Sequence, residues 1–265
     1  MIQRTLTAQE IAQYHADGYY IARSLFDAEE MKMLIEAAKA DRDFDKAPTR
    51  KDSQGMASKL RLKNFAEDDI YSLFVCSRRI VDNMELLLGD EVYHWHHKMM
   101  LKEPRVGGAW EWHQDYGYWY VNNHCLYPDM ASCAIAVDRA GKDNGCMQVL
   151  RGSHKCGRID HGTSGEQVGA NLERVEALMK SLDLVYAELN PGDALFFHSN
   201  TLHRSDQNRS EFPRWTLIGC YNTKHNNPYK QPCGHPSYHK LNKIEDEQVK
   251  PRARKYWEAA MSAAS

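Results

Sequence analysis

The spacing of apolar residues predicts helices in the first third of the chain. Thr7 is followed three residues later by Glu10, a capping-box pattern, and Gly18 is placed to end the helix that they begin. The same helical spacing predicts a second helix over residues 27–41 and a further helical stretch over residues 68–88. The N-terminal part of the chain is therefore expected to be mainly helical.

Beyond residue 90 the period of the pattern shortens to two, which is typical of strands. On the first of these strands, alternation predicts that His94, His96, Lys98 and Met100 share one face. Residues 166–182 interrupt the strands with helical spacing and predict an amphipathic insertion, and the tail from Asn226 predicts a coil and a short final helix. The predicted strands, which Gly, Pro, Asn and Asp turns separate, are residues 19–22, 93–101, 110–119, 131–137, 146–150, 185–189, 194–198 and 215–223. Helices followed by many short strands predict a mainly β, α+β protein whose β-sandwich is buttressed by helices.

Composition agrees with one soluble domain that acts on a small molecule. The 265 residues are 42% hydrophobic and 26% charged, with a formal net charge of −2. No linker divides the chain, so we expect residues 1–265 to form a single domain. No basic block favours a nucleic-acid partner, and no apolar run suits a membrane span or a signal peptide, so we expect a cytoplasmic protein. The seven scattered cysteines form no Cys-x-x-Cys pair and predict reduced, mostly buried thiols.

A histidine and a carboxylate two residues apart form the candidate metal site. His113 and Asp115 lie in a predicted strand, where residues two apart point to one face and can bind one ion. A 2-His-1-carboxylate site needs a second, distant histidine, which His203 offers. His15 and Asp17 have the same spacing, but they close a predicted helix, on which residues two apart diverge.

The surroundings of His203 resemble a known family. A turn at residues 190–193 and an apolar strand precede His203, which begins a His-x-Ser-x-x-Asn pattern, and Arg214 follows eleven residues after it. Together with His113-Gln114-Asp115 and residues 144–154, this set resembles the phytanoyl-CoA dioxygenase family of iron(II)- and 2-oxoglutarate-dependent oxygenases, over roughly residues 8–225. The resemblance implies a double-stranded β-helix, the jelly-roll or cupin-like core, buttressed by the N-terminal helices.

The resemblance also implies roles for individual residues. His113, Asp115 and His203 would bind iron(II), and Arg214 would bind the distal carboxylate of 2-oxoglutarate through a paired ion contact, with the Ser205 hydroxyl beside it. The remaining residues that the resemblance places at the site are His96 and Lys98 as cosubstrate contacts and Trp119, Tyr116 and Tyr118 as substrate contacts. Each aromatic residue could equally belong to the core. His198 is an alternative distal ligand, five residues before His203.

A function follows from the family and the ligand set together. The expected reaction uses iron(II), 2-oxoglutarate and dioxygen, releases succinate and CO2, and hydroxylates an unactivated C–H bond of a small metabolite. Lys59, Arg61 and Lys63 alternate with leucines and could instead serve an acyl-CoA substrate. The chain could also be a cupin-like metalloenzyme that does not use 2-oxoglutarate, or a non-catalytic sandwich that binds a ligand.

Overall fold

The computed structural model describes residues 5–164, 166–235 and 237–264. The α-helices are α1 (Ala8–Asp17), α2 (Ala28–Ala40), α3 (Arg42–Asp45), α4 (Ile70–Val75), α5 (Arg78–Leu88), α6 (Asp115–Asn123), α7 (Leu172–Met179) and α8 (Asp246–Ala264). The strands are β1 (Tyr19–Ala22), β2 (Thr49–Lys51), β3 (Ala57–Lys63), β4 (Val92–Lys102), β5 (Trp110–His113), β6 (Met130–Ala136), β7 (Met147–Leu150), β8 (His161–Ser164), β9 (Gln167–Ala170), β10 (Leu184–Ala187), β11 (Ala194–His198), β12 (His203–Ser205) and β13 (Arg214–Thr223). The predicted order of helices first and short strands afterwards is confirmed.

Two antiparallel sheets form a jelly-roll. The larger sheet has seven strands in the order β1-β11-β6-β13-β4-β3-β2, and the smaller has four in the order β10-β7-β12-β5. Strands β8 and β9 pair as a separate hairpin. Apart from the consecutive strands β2, β3 and β4 at one edge of the larger sheet, the neighbours in both sheets are distant in sequence, as in a double-stranded β-helix. The predicted α+β fold class with a jelly-roll core is therefore confirmed.

The N-terminal helices pack on the outer face of the larger sheet. Thr7 and Asp27 begin α1 and α2 with capping boxes, each completed by a glutamate at the third helical position. A continuous core of buried apolar residues joins these helices, α4, α5 and α8 to one face of β4, β6, β11 and β13. The helices therefore cover the outer face of the larger sheet, and the inner face of that sheet lines the space between the two sheets.

A β-bulge in β4 decides which side chains reach that inner space. Cys220 of β13 pairs with His96, whereas Tyr221 pairs with His94, so Trp95 is an extra residue on β4. Beyond the bulge, His96 and Lys98 face the space between the sheets. His94 lies on the opposite side, in a cavity beside α4. The prediction that His94 shares a face with His96 is therefore wrong, because the bulge shifts the alternation by one residue.

Three other predicted boundaries differ from the structure. The stretch 68–88 is two helices, because the chain leaves the helical conformation at Cys76 and Ser77. Residues 166–182 contribute strand β9 before α7, so only their second half is helical. The final helix α8 is long, with 19 residues, and Trp257 fixes it to α2 by donating to Glu36 at 2.7 Å.

Over the described residues, none of the helices combines the length and the apolarity that a bilayer span requires.

Candidate active site

Three side chains that are far apart in sequence meet between the sheets. His113 on β5 and His203 on β12 are register partners on neighbouring strands, and their ring centroids are 4.1 Å apart. Asp115 Oδ1 lies 3.9 Å from Nε2 of each imidazole. One ligand atom from each of the three buried residues lies within 4.8 Å of the others, which is close enough to share one ion. Two imidazoles and one carboxylate are the donor set that suits iron(II) in oxygenases.

The chain reaches this arrangement through a turn rather than through one strand. The prediction of a strand over residues 110–119 is wrong beyond His113, because α6 begins at Asp115. Tyr116 N donates to Ser199 O at 3.0 Å, which anchors the start of α6 to the end of β11. The aromatic residues that follow favour strands by propensity, but tertiary contacts override that preference. His113 and Asp115 therefore converge across a strand-to-helix turn, and not along one face of a strand.

Backbone carbonyls orient both imidazoles. His113 Nδ1 lies 2.7 Å from Glu111 O, and His203 Nδ1 lies 2.9 Å from Thr201 O. Because a carbonyl only accepts, Nδ1 carries the proton in each ring and Nε2 keeps a free lone pair. Burial lowers the pKa of both histidines below the ordinary value. Both rings are therefore neutral at physiological pH, as metal ligands must be.

Asp115 is held in its charged form. Burial raises its pKa, but the opposing effects, of which the positive charge of Lys98 is the largest, outweigh burial, and the pKa lies below its ordinary value. Ser132 Oγ donates to Asp115 Oδ2 at 2.9 Å. That hydrogen bond occupies one carboxylate oxygen and leaves Oδ1 directed at the histidines. The carboxylate is therefore an ionised and oriented ligand.

The three residues line a cavity of about 400 Å³ between the sheets. Arg214, the first residue of β13, also lines it and is buried. Its Nη1 donates to Gly145 O, while its Nε is buried without a partner among the described atoms. Burial lowers the pKa of Arg214 to about 10, so the guanidinium stays charged at neutral pH. A buried cation with an unused donor fits a carboxylate ligand.

Most of the other predicted contacts line the same cavity. The structure brings Ser205, His96, Lys98, Trp119 and Tyr118 to its wall together with the three metal-site residues. Tyr116 is the exception: it does not line the cavity, and its hydroxyl donates to Leu126 O at 2.5 Å. The helical turn of α6 explains this difference, because residues two apart on a helix face different sides.

His198 and the cations of β3 lie outside the site. His198 accepts from Asn200 N at 3.0 Å through its Nδ1 and does not line the cavity, so the competing distal ligand is set aside. The three cations of β3 turn away from the cavity as well. Lys59 lies over the Phe44 ring, Arg61 pairs with Asp41, and Lys63 pairs with Asp69 and Glu67. Leu60 and Leu62, the residues between them, face the cavity.

Gln114, between the two metal-site residues, was missed in the sequence. Its side chain is fully buried, donates to Gly157 O and Asn200 O at 2.8 Å each, and accepts from Ile159 N at 2.7 Å. Its backbone N donates to His161 Nε2 at 3.0 Å. These bonds fix the turn that carries the metal-site residues. In the sequence, the signal for this role was a polar residue placed between two candidate ligands. The hydrogen-bond partners of Gln114 could not be identified in the same way, because they come from distant loops.

Comparisons with known proteins agree with this site. The family described as phytanoyl-CoA dioxygenase (PhyH) matches residues 3–216. L-proline trans-4-hydroxylase of Streptomyces griseoviridis is 30% identical over 61% of this chain and 66% of that protein. An ectoine dioxygenase of Sphingopyxis alaskensis is 26% identical over 83% of this chain and 77% of that protein. The crystal structure of EctD from S. alaskensis with 2-oxoglutarate and 5-hydroxyectoine superimposes with a TM-score of 0.77 at 23% identity, over 91% of this chain and 88% of that one.

The family match covers most of the chain and includes β5, the start of α6, β12 and Arg214. Those are the segments that carry the two histidines, the carboxylate and the buried guanidinium. The chain therefore belongs to the phytanoyl-CoA dioxygenase family of iron(II)- and 2-oxoglutarate-dependent oxygenases.

Proposed function

We propose that this enzyme hydroxylates an unactivated C–H bond of a small polar metabolite, using iron(II), 2-oxoglutarate and dioxygen and releasing succinate and CO2. We further propose that residues 1–265 form one oxygenase domain. The observation that carries the proposal is that the three converging ligand atoms and the buried Arg214 guanidinium share one cavity. The similarity to hydroxylases of small molecules supports the choice of reaction.

The donor set fits iron(II). His113, Asp115 and His203 would hold the ion through two neutral nitrogens and one anionic oxygen, and three protein ligands leave the other positions free for small ligands. Bound iron(II) supplies the activation of dioxygen, which is coupled to the oxidative decarboxylation of 2-oxoglutarate. The protein contributes the fixed orientation of the ligands, through the carbonyls of Glu111 and Thr201 and the hydroxyl of Ser132.

Arg214 and Ser205 would bind the distal carboxylate of 2-oxoglutarate. Arg214 keeps its charge in a buried position, and its Nε donor has no partner among the described atoms. A carboxylate bound there would neutralise the charge and accept a hydrogen bond from Nε. Lys102 fixes the neighbouring backbone by donating to Ser205 O at 3.4 Å and to Asp206 O. These bonds hold the backbone beside Ser205 in place without a ligand.

The contacts of the β3 cations argue against an acyl-CoA substrate. Phosphate groups of coenzyme A would need free basic residues at the cavity entrance. Lys59, Arg61 and Lys63 instead contact an aromatic ring and carboxylates on the outer side of β3. A compact substrate within the shared cavity of about 400 Å³ is therefore favoured.

Anaerobic addition of iron(II) and 2-oxoglutarate tests the proposal. We expect the weak visible charge-transfer band of the chelate and, in air, slow succinate release without substrate. Asp115→Ala should abolish both, because it removes the anionic ligand. His198→Asn is the matched control, since the new amide oxygen can still accept from Asn200 N and the residue lies outside the cavity.

The same assay separates this function from its two competitors. A cupin-like metalloenzyme that does not use 2-oxoglutarate would keep its activity in Arg214→Ala. A non-catalytic sandwich would neither retain iron nor consume dioxygen. The oxygenase proposal is wrong if wild-type protein gives neither the band nor succinate.

A further inference from the structure

A second cavity lies on the outer face of the larger sheet. Its volume is about 340 Å³, which is within the range of small-molecule sites. His94 of β4, helix α4, the loop at residues 64–68 and residues 239–244 of the C-terminal segment enclose it. We call this space the rear cavity. It shares none of its described lining residues with the active-site cavity, which lies on the other face of the same sheet.

Part of the wall of the rear cavity is apolar. Leu73 of α4 is buried, and Leu241 and Ile244 of the C-terminal segment pack against the same core. Phe65 also lines the cavity and is 56% exposed, so the face of its ring is accessible to a ligand. Aromatic rings pair favourably with one another in offset or edge-to-face arrangements. These four side chains therefore suit a small ring.

The charges around the rear cavity are compensated or hydrated. Glu67 pairs with Lys63 at 2.6 Å, and Asp68 pairs with Arg252 at 3.5 Å. Lys240 lines the cavity as well, but it is exposed, so its ammonium group stays in water. The walls thus bring little net charge to the interior, and a neutral ligand is favoured over an ion.

Two polar atoms of the lining residues lack hydrogen-bond partners. Asn64 Oδ1 is buried and has no partner among the described atoms. His94 is only 8% exposed; its Nε2 lies 3.0 Å from His97 Nδ1, while its own Nδ1 forms no hydrogen bond with a described residue. Both side chains line the rear cavity. A buried polar atom without a partner costs about 1–3 kcal/mol, which a ligand that supplies the bond recovers.

The protonation of the histidine pair decides what His94 offers to a ligand. Burial lowers the pKa of both imidazoles below the ordinary value, so each ring is neutral and carries one proton. His97 Nε2 is buried without a partner among the described atoms. Since a buried N–H without an acceptor is rarer than an acceptor without a donor, His97 carries its proton on Nδ1 and donates to His94 Nε2. The proton of His94 then lies on Nδ1, as a donor.

We propose that the rear cavity is a second ligand site, which binds a small neutral phenol. A hydroxyl group donates one hydrogen bond and accepts others, so it would donate to Asn64 Oδ1 and accept from His94 Nδ1. The ring of the ligand would lie against Phe65 and Leu73. This inference does not depend on the proposed oxygenase function, because no residue of the active-site cavity takes part.

The same asparagine connects the rear cavity to the active-site wall. Asn64 Nδ2 donates to Gly234 O at 2.9 Å, and the next residue, His235, lines the active-site cavity. The ring of His235 stacks on Trp95 with centroids 4.3 Å apart, and Trp95 is the bulged residue that follows His94. A ligand bound to Asn64 and His94 therefore contacts the immediate neighbours of His235 and its stacking partner. We expect its binding to change the environment of His235.

Calorimetric titration of phenol and toluene into the metal-free, full-length protein tests the site. We expect saturable binding of one phenol per chain. In Asn64→Leu the affinity for phenol should fall about tenfold, the loss of one hydrogen bond, whereas toluene, which has the ring but no hydroxyl, should bind at least as well as to wild type. The comparison of the two ligands isolates the hydrogen bond from changes in packing. Absent saturable phenol binding, or equal losses for phenol and toluene, overturns the proposal.

Asn123→Leu is the matched control. Asn123 donates to Cys233 O at 2.7 Å, so it holds the same C-terminal segment, but it lines the active-site cavity and not the rear cavity. Its substitution should leave the affinity for phenol within about twofold of wild type. If Asn123→Leu weakens phenol binding as much as Asn64→Leu does, phenol binds in the active-site cavity or responds only to a loosened segment, and the proposal is wrong.

Imidazole NMR signals of histidine-labelled protein locate the ligand. Phenol should shift the signals of His94 and His235, which His94→Gln and His235→Gln assign, and should leave that of the exposed His225 unchanged. In Asn64→Leu both shifts should require about tenfold more phenol. An unchanged His94 signal at saturation overturns the site. A shift of His94 without one of His235 overturns the connection to the active-site wall.

Discussion

Gly117→Ala tests whether close packing of α6 places Asp115. A Cβ at Gly117 would lie 2.1 Å from Cε1 and 2.6 Å from Nε2 of His161, well inside contact distance. The ring cannot simply rotate away, because His161 Nε2 accepts from Gln114 N at 3.0 Å and its Nδ1 lies 2.8 Å from Ile159 O. The substitution must therefore move the ring or shift α6.

The sum of three free-energy contributions predicts whether Gly117→Ala stabilises or destabilises the protein. Alanine in a helix is favoured over glycine by about 1 kcal/mol. Overpacking costs about 1–3 kcal/mol, and loss of the Gln114 hydrogen bond adds about 1 kcal/mol. We therefore expect Gly117→Ala to lower the free energy of unfolding by about 1–3 kcal/mol. Because Asp115 is two residues away, a displacement of about 1 Å would lower kcat about a hundredfold.

Three measurements check this prediction: denaturant unfolding, iron(II) titration by the charge-transfer band, and succinate release. His161→Ala removes the ring, so the double variant Gly117→Ala/His161→Ala should lose less than the sum of the two single variants. The reasoning is refuted if Gly117→Ala binds iron(II) and releases succinate like wild type. Additive losses in the double variant would equally show that the ring contact is not the cause.

Other substitutions probe the remaining interactions of the site. Ser132→Ala removes the hydrogen bond to Asp115 and should weaken iron(II) binding about tenfold or more in an equilibrium titration; unchanged affinity would contradict the orienting role. Arg214→Lys should raise the KM for 2-oxoglutarate in a succinate assay, because an ammonium cannot form the paired contact, and Arg214→Met should raise it further; equal KM values would exclude the contact. The pKa values of His94 and His198 are lowered by burial to about 3 and about 4, so the unfolded chain binds more protons below the ordinary value of 6.5. Denaturant titrations should therefore show stability that is complete above about pH 6.5 and falls towards pH 4, less steeply in His198→Asn; a flat profile would contradict burial of these rings.

The sequence predicted correctly those features of the fold and of the site that depend on a local pattern or on a matched motif. Capping boxes at Thr7 and Asp27 defined the first helices, and alternation defined most strands of the sheets. The convergence of His113, Asp115 and His203 was predicted correctly as a group. The local conformation that brings Asp115 there was predicted wrongly, because α6 is rich in aromatic residues, which favour strands in isolation.

Other features depend on contacts that no local pattern contains. The bulge at Trp95 reverses the facing of every later residue of β4, and only the pairing with β13 reveals it. The cations of β3 were candidates for binding an anion until their partners on α3 and the loop before α4 were known. His235 carried no signal in its own neighbourhood, since its position depends on Asn64 and Asn123, which are distant in sequence.

The carbonyls that hold the two imidazoles have a consequence for how the enzyme is activated. Thr201 O and Glu111 O fix the rings through bonds that belong to the protein alone. In small zinc modules, by contrast, the metal supplies the free energy of folding. Chelation should therefore lower the melting temperature only by the free energy of metal binding, leave the chain folded, and inactivate the enzyme reversibly. The supply of ferrous ion would then set the fraction of molecules that are active, and not the fraction that are folded.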